Sequence, residues 1–285
     1  MSQPEIQIRP AIDVSNAVRE VIDDLCQCLR EPVLQPKKIH RIRVNIKRLR
    51  AWVRLVKHAA DNRTLHNIDK NLKQISGQFS RNRDNHVISE LLARLLKKKD
   101  KDKVRFLIQT LNNQQESKPD ETEKNKPGNI TLSINQIEQL QQQCILLNRF
   151  NVIKKGLKKT YERTLKSGQE AFGKSDSFIE LHELRKWVKY LCYQIEFIRA
   201  WHPEQYQLEQ KRLDKLGRKL GEINDLIMVK DLLENMKTPN IHSDTVDLIK
   251  NEVFRNIKIL NKKSTHLFNN IFNQTPSAFV KNLKS

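Results

Sequence analysis

Two stretches of this sequence place a histidine, an arginine and a lysine at one spacing. The first is Ile39-His40-Arg41-Ile42-Arg43-Val44-Asn45-Ile46-Lys47-Arg48-Leu49-Arg50. The second is Leu181-His182-Glu183-Leu184-Arg185-Lys186-Trp187-Val188-Lys189-Tyr190-Leu191-Cys192. His40, Arg43 and Lys47 recur as His182, Arg185 and Lys189 at an offset of 142 residues. From Lys37 to His58 there are nine Lys or Arg and no acid. Such residues carry no obvious covalent chemistry. They can bind an anion: cations paired with phosphate oxygens make short, charge-assisted hydrogen bonds, and a half-protonated histidine can add charge or a donor.

The elements that must position them are helices. Ile39, Ile42, Ile46, Leu49, Val53 and Val56 recur at three and four residues, as one apolar stripe does. His40, Arg43, Lys47, Arg50, Arg54 and Lys57 form the same ladder one position later, about 100° round the axis. Leu181, Leu184, Val188, Leu191, Ile195 and Ile198 repeat the apolar stripe, with His182, Arg185 and Lys189 one step round. The cations therefore flank the buried face instead of opposing it. Like charges at i,i+4 repel by a few tenths of a kcal/mol per pair, a cost that a polyanionic partner relieves.

Composition sets the class. The 285 residues suffice for a real core in one or two domains. Only 7 Gly and 9 Pro argue against an all-β fold. A formal net charge of +20 points to nucleic acid, anionic lipid or another polyphosphate as partner. Cys26, Cys28, Cys144 and Cys192 lack zinc spacing; Cys26 and Cys28 point about 200° apart on a helix, and all four read as reduced thiols. His58, His66, His86, His202, His242 and His266 show no metal-site spacing. No signal peptide and no run of about 18 apolar residues is present, so the expectation is a soluble, cytoplasmic protein without a membrane span.

In chain order, the periodicity predicts helices over 11–31, 36–60, 64–80 and 84–111, then a polar linker over 112–130. Helices follow over 132–168, from Ser177 (with Glu180, a capping box) to Trp201, from Pro203 to Leu220, from Asp225 to Met236, and over 241–272, before a weak tail at Pro276. A second match supports duplication: Ile75 to Asp84 lies against Leu216 to Asp225 at an offset of 141. The chain reads as two helical halves, 11–111 and 131–272, joined by that linker. Asp84 and Asp225 read as helix N-caps or acceptors that orient an arginine. Trp52, Trp187 and Trp201 read as core.

A helix with His-x-x-Arg-x-x-x-Lys/Arg-Arg-x-Arg resembles the CHAD family, the conserved histidine α-helical domain. So does the later Leu-Gly-x-x-Arg/Asn-Asp motif, and Tyr193 with Glu196-Phe197 is similar to the family's Arg-Tyr-x-x-Glu-Phe. The resemblance covers about 11–272. It implies an all-α fold of two four-helix bundles with pseudo-twofold symmetry, whose basic helices line a central channel for inorganic polyphosphate. By that resemblance His40, Arg43, Lys47, Arg48 and Arg50 belong to the site in the first half, and His182, Arg185, Lys186 and Lys189 in the second. Tyr190 and Cys192 stand where the family usually has basic residues, which puts the second half's grip in question. Residues 1–10 lack the Glu-x-Glu-x-Lys of a triphosphate-tunnel domain, so a stand-alone member is expected.

Arg54 extends the first ladder. Lys155, Lys159 and Arg163 are the best additional candidates for the channel, within the basic run Lys154, Lys155, Lys158, Lys159, Arg163 and Lys166. There is no Gly-rich phosphate loop, nucleophile motif or carboxylate cluster for Mg²⁺, and phosphoryl transfer generally uses such parts. The expectation is a non-catalytic binder of polyphosphate without cofactor or metal, associated with polyphosphate granules. Two alternatives stay open: a nucleic-acid-binding helical protein, disfavoured by 6% aromatic residues, and a helical scaffold whose charge serves solubility or membrane docking.

Overall fold

The computed structural model describes residues 14–31, 35–57, 62–79, 91, 94, 137–138, 150–173, 178–199, 205–235, 243–281 and 283. Among the described residues there are eight helices and no strand: α1 Val14–Arg30, α2 Pro36–Val56, α3 Asn62–Gln78, α4 Phe150–Gly173, α5 Phe178–Ile198, α6 Gln205–Asn235, α7 Ser243–Ile271 and α8 Pro276–Lys281. No described helix is long and apolar enough to cross a membrane. The expected helix over 84–111, the linker 112–130, Asp84, Cys144, Ser177, Trp201, His58, His86, His202 and His242 lie outside the described residues, Leu91 and Arg94 excepted.

The central element is α2. Pro36 opens it, its fixed φ suited to a first turn, and the Gln35 carbonyl accepts the amides of Lys38 and Ile39 at 2.9 and 3.0 Å. Ile42, Ile46, Leu49, Val53 and Val56 are buried, as the stripe requires, and Ala51, Trp52 and Leu55 bury a second strip beside it. Two buried strips let α2 touch α1, α3, α4 and α5. Apolar side chains from all eight helices join one continuous core.

Between α2 and α5, Arg48 bonds Glu196, the Ala51 carbonyl accepts Gln194 Nε2 at 3.0 Å, and the Arg54 guanidinium lies 4.3 Å from the Tyr190 ring centre. Partner numbers fall as α2 numbers rise, so the two ladder helices run antiparallel. Trp52 meets Phe197 edge to face at 5.8 Å behind these contacts.

At the crossing of α2 and α4, a Cβ on Gly156 would lie 1.8 Å from the Leu55 carbonyl oxygen. Glycine weakens a helix interior by about 1 kcal/mol relative to alanine, yet here only glycine lets the backbones touch. That contact brings the basic face of α4 beside the C-terminal end of α2.

Two expectations need correction. The break expected between Leu220 and Asp225 is absent: α6 runs unbroken for 31 residues, and Asp225 is inside it, not at an N-cap. Leu216, Leu220, Ile223 and Leu226 bury one stripe through the region. The tail after Pro276 is not weak either. Phe279 of α8 stacks on Tyr161 of α4 at 4.3 Å, Tyr161 donates to the Gln274 carbonyl at 3.1 Å, and Val280 and Leu283 are buried. This burial pushes the Tyr161 hydroxyl up to about 12.

A candidate anion-binding cleft

Cations on a helix can be neutralised by neighbours or left to a ligand, and the two ladders divide on that point. On α5, Lys189 reaches Asp214 of α6 at 3.2 Å. Its chain lies over Gly217, where a Cβ would meet Lys189 Cε at 3.0 Å, and Arg185 lies over Gly221 in the same way. His182 Nδ1 is 2.7 Å from Asn224 Oδ1, and Lys186 pairs with Glu183. The second ladder is thus laid along α6, on a strip kept low by two glycines one turn apart.

The first ladder behaves differently along its length. Arg43 donates to the Phe79 carbonyl at 3.1 Å, Arg48 pairs with Glu196, and Lys47 is half-buried while His40 is exposed. One turn further on, Arg50 and Arg54 converge on Asp69, the one acid in α3. Arg50 Nε and Arg54 Nη1 reach its Oδ1 at 2.8 Å, and Arg54 Nη2 reaches Oδ2 at 3.1 Å. Burial works against ionising Asp69. The hydrogen bonds and charges of Arg50 and Arg54 outweigh it and hold the carboxyl below its usual range. Arg54 is clamped between this carboxylate and the face of Tyr190, a geometry that suits a flat guanidinium.

Beyond Arg54 the ladder opens into a cleft of about 320 Å³ lined by Arg54, Lys57, Lys159, Thr160, Arg163 and Trp187. Lys57, Lys159 and Arg163 form no ion pair with any described residue. The Lys57 ammonium is held below its ordinary value, first by desolvation and then by repulsion from Arg54 and Lys159; the pull of Asp69 and the push of Arg163 are smaller. On α4 the cations separate by face. Lys158 and Lys166 pair with Glu162 and Glu170 at 3.9 Å, and Lys154 sits over Phe150. Lys155, Lys159 and Arg163 share the other face at four-residue spacing.

Of the residues singled out from sequence, the cleft gathers Arg54, Lys159 and Arg163. Arg50 stands beside it through Asp69, and Lys155 continues its α4 face. Arg43, Arg48, His182, Arg185, Lys186 and Lys189 are engaged elsewhere. Lys57, Asp69, Thr160 and Trp187 were not among the sequence candidates for the site. Lys57 carried a signal, as the last rung of the ladder. Trp187, expected in the core, is half-buried on the cleft wall, with its Nε1 on Glu183 at 2.7 Å and Arg163 at 5.7 Å from its ring centre. Trp52 is in the core as expected. Tyr190 and Cys192 do not sit idle where cations were expected: Tyr190 backs Arg54, and the buried Cys192 thiol, pushed up to about 12 by desolvation, approaches the Gln210 carbonyl at 3.9 Å. Cys26, Cys28 and Cys192 are free and buried. Among the described residues no three His, Cys, Asp or Glu side chains are grouped to hold a metal ion.

The sequence pattern of the CHAD domain matches residues 16–234, from α1 to the end of α6. The chain belongs to the CHAD family. No curated protein sequence matches it significantly. Among solved structures, the crystal structure of the CHAD domain from the plant Ricinus communis is similar, with a TM-score of 0.58 at 13% identity, covering 95% of this chain and 90% of that one. At that identity the likeness concerns the fold, and its coverage reaches beyond the matched CHAD pattern.

Proposed function

We propose that this CHAD chain binds inorganic polyphosphate without turning it over, and that the cleft between α2, α4 and α5 is its principal grip. One observation carries the reading. Three cations, Lys57, Lys159 and Arg163, surround one opening with no ion-pair partner among the described residues, beside an Arg54 already oriented by Asp69 and Tyr190. Their mutual repulsion raises the energy of the empty cleft, and a chain of phosphates relieves it. Binding draws on the release of condensed counterions, so it weakens steeply with salt. Arginine adds paired hydrogen bonds to phosphate oxygens.

The ladder cations His40, Arg43, Lys47 and Arg48, with His182, Arg185, Lys186 and Lys189, extend this grip along the antiparallel α2 and α5. In the same proposal the chain is a duplicated pair of halves, 11–111 and 131–272, acting in the cytoplasm on polyphosphate granules. The test is a competition between long-chain polyphosphate and single-stranded nucleic acid at matched phosphate concentration. Polyphosphate, denser in charge and free of bases, should displace nucleic acid. Equal competition would replace polyphosphate by nucleic acid as the ligand.

A further inference from the structure

Lys57 occupies an unusual place within the cleft. Its backbone is fixed at the end of α2, where its amide donates to the Val53 carbonyl at 3.0 Å. Its side chain is exposed and lines the opening with Arg54, Lys159 and Arg163. Two described carboxylates act on the cations of this cleft, Asp69 on Lys57 and Glu183 on Arg163, and both are already engaged. Asp69 of α3 holds Arg50 and Arg54, and Glu183 of α5 holds Lys186 and the Trp187 indole. Partial desolvation on the cleft wall, and after it repulsion from Arg54, Lys159 and, less strongly, Arg163, favours the neutral amine, which is the nucleophilic form. The same three cations attract a phosphate dianion, since a cleft lined by one sign of charge concentrates its counterion.

Both effects act at one point. We propose that Lys57 is a modification site for small acyl phosphates, mixed anhydrides of a carboxylic acid and phosphoric acid. The phosphate group docks on Arg54, Lys159 and Arg163, which leaves the acyl carbon beside Lys57. The lone pair of the neutral Nζ attacks the carbonyl carbon. A C–N bond forms, the C–O bond to phosphorus breaks, and inorganic phosphate leaves with that electron pair. The surplus proton on nitrogen passes to solvent. The reaction is an acyl transfer and needs no further reactant. Its product is an uncharged amide, so the cleft loses one of its cations and holds polyanions less tightly. This inference rests on reading the cleft as a phosphate site, though not on polyphosphate as its ligand. The lowered proton affinity of Lys57 is in keeping with it.

The experiment treats the full chain with acetyl phosphate and follows acetylation of each lysine by peptide mass spectrometry. Lys57 should react about tenfold faster than the exposed Lys262, or more, the scale of such electrostatic concentration. Lys159→Gln and Arg163→Gln should each slow Lys57 and leave Lys262 unchanged, with helicity checked by circular dichroism. Acetic anhydride, which has no phosphate to dock, should show a much smaller preference for Lys57. The proposal is overturned if Lys57 reacts no faster than Lys262, if both variants leave its rate unchanged, or if the anhydride shows the same preference. Long-chain polyphosphate should protect Lys57. A fast Lys57 that polyphosphate fails to protect would keep the acylation site and remove polyphosphate from the cleft.

Discussion

The two ladder helices have the same cation spacing and different surroundings. On α5, Arg185 and Lys189 lie on α6, over Gly221 and Gly217, with Asp214 in reach. On α2, Asp69 takes up Arg50 and Arg54, and then the ladder runs out beside a second basic helix, where Lys57, Lys159 and Arg163 have no ion pair among the described residues. Position 196, which repeats position 54 at the ladder offset, is Glu196, and it turns back to neutralise Arg48. A row of cations therefore does not define a site. What the neighbouring helix supplies decides whether a cation is spent on the fold or left for a ligand.

The largest effects should come from what the ladders share. Ile42→Ala on α2 and Leu184→Ala on α5 each remove a fully buried side chain, and each should cost about 2–5 kcal/mol in a denaturant melt. If one is far cheaper than the other, the two helices are not equally central to the core.

Glycine substitutions should separate the ladders next. Gly156→Ala forces a methyl into the Leu55 backbone and should cost about 1–3 kcal/mol or more, since backbone cannot step aside. Gly217→Ala meets only the flexible Lys189 chain, and alanine's helix preference of about 1 kcal/mol offsets the crowding. Thermal melts should show a loss for the first and near neutrality for the second. Equal losses would mean that Lys189 is held as rigidly as a backbone.

Asp69→Asn should come third. It leaves Arg50 and Arg54 half-satisfied and should cost about 1–2 kcal/mol, typical of a hydrogen bond to a charged group discounted for exposure. The sign of the pH effect follows from the lowered proton affinity of Asp69. Its contribution is complete above the unfolded carboxylate pKa of about 3.9 and is lost as pH falls through the lower folded value. Acid titrations of wild type and Asp69→Asn should converge there. The variant should also bind polyphosphate more tightly at pH 7, because a competing anion is gone.

The smallest effect on stability belongs to the cleft. Lys57→Met should leave the melt unchanged or raise it by a few tenths of a kcal/mol, the scale of like-charge repulsion. A clear loss would make Lys57 a structural residue.

Much of this was legible in the sequence. The stripes of α2 and α5 gave both helices and the residues they bury, because a 3.6-residue period is a local property. The ladders gave the cations for the same reason. What escaped depended on a partner helix. The stretch between Leu220 and Asp225 looked like a break, and it is the burial of Leu216, Leu220, Ile223 and Leu226 against partner helices that carries α6 through it. Trp187 looked like core until α4 and α2 set cations round it. Phe279 and Val280 looked like a tail because the Tyr161 that receives Phe279 is more than a hundred residues away. Asp69, one acid among cations, gave no sign that it would hold two arginines.

The most direct test of the account is a calorimetric titration of long-chain polyphosphate, at fixed salt, against two variants. One is Lys57→Gln, Lys159→Gln, Arg163→Gln on the cleft. The other is Arg185→Gln, Lys186→Gln, Lys189→Gln on the second ladder, so that each removes three charges. The account predicts a much larger loss of affinity, and a flatter salt dependence, for the cleft variant. Equal losses, or a larger loss from the second ladder, would contradict it and move the site away from the cleft.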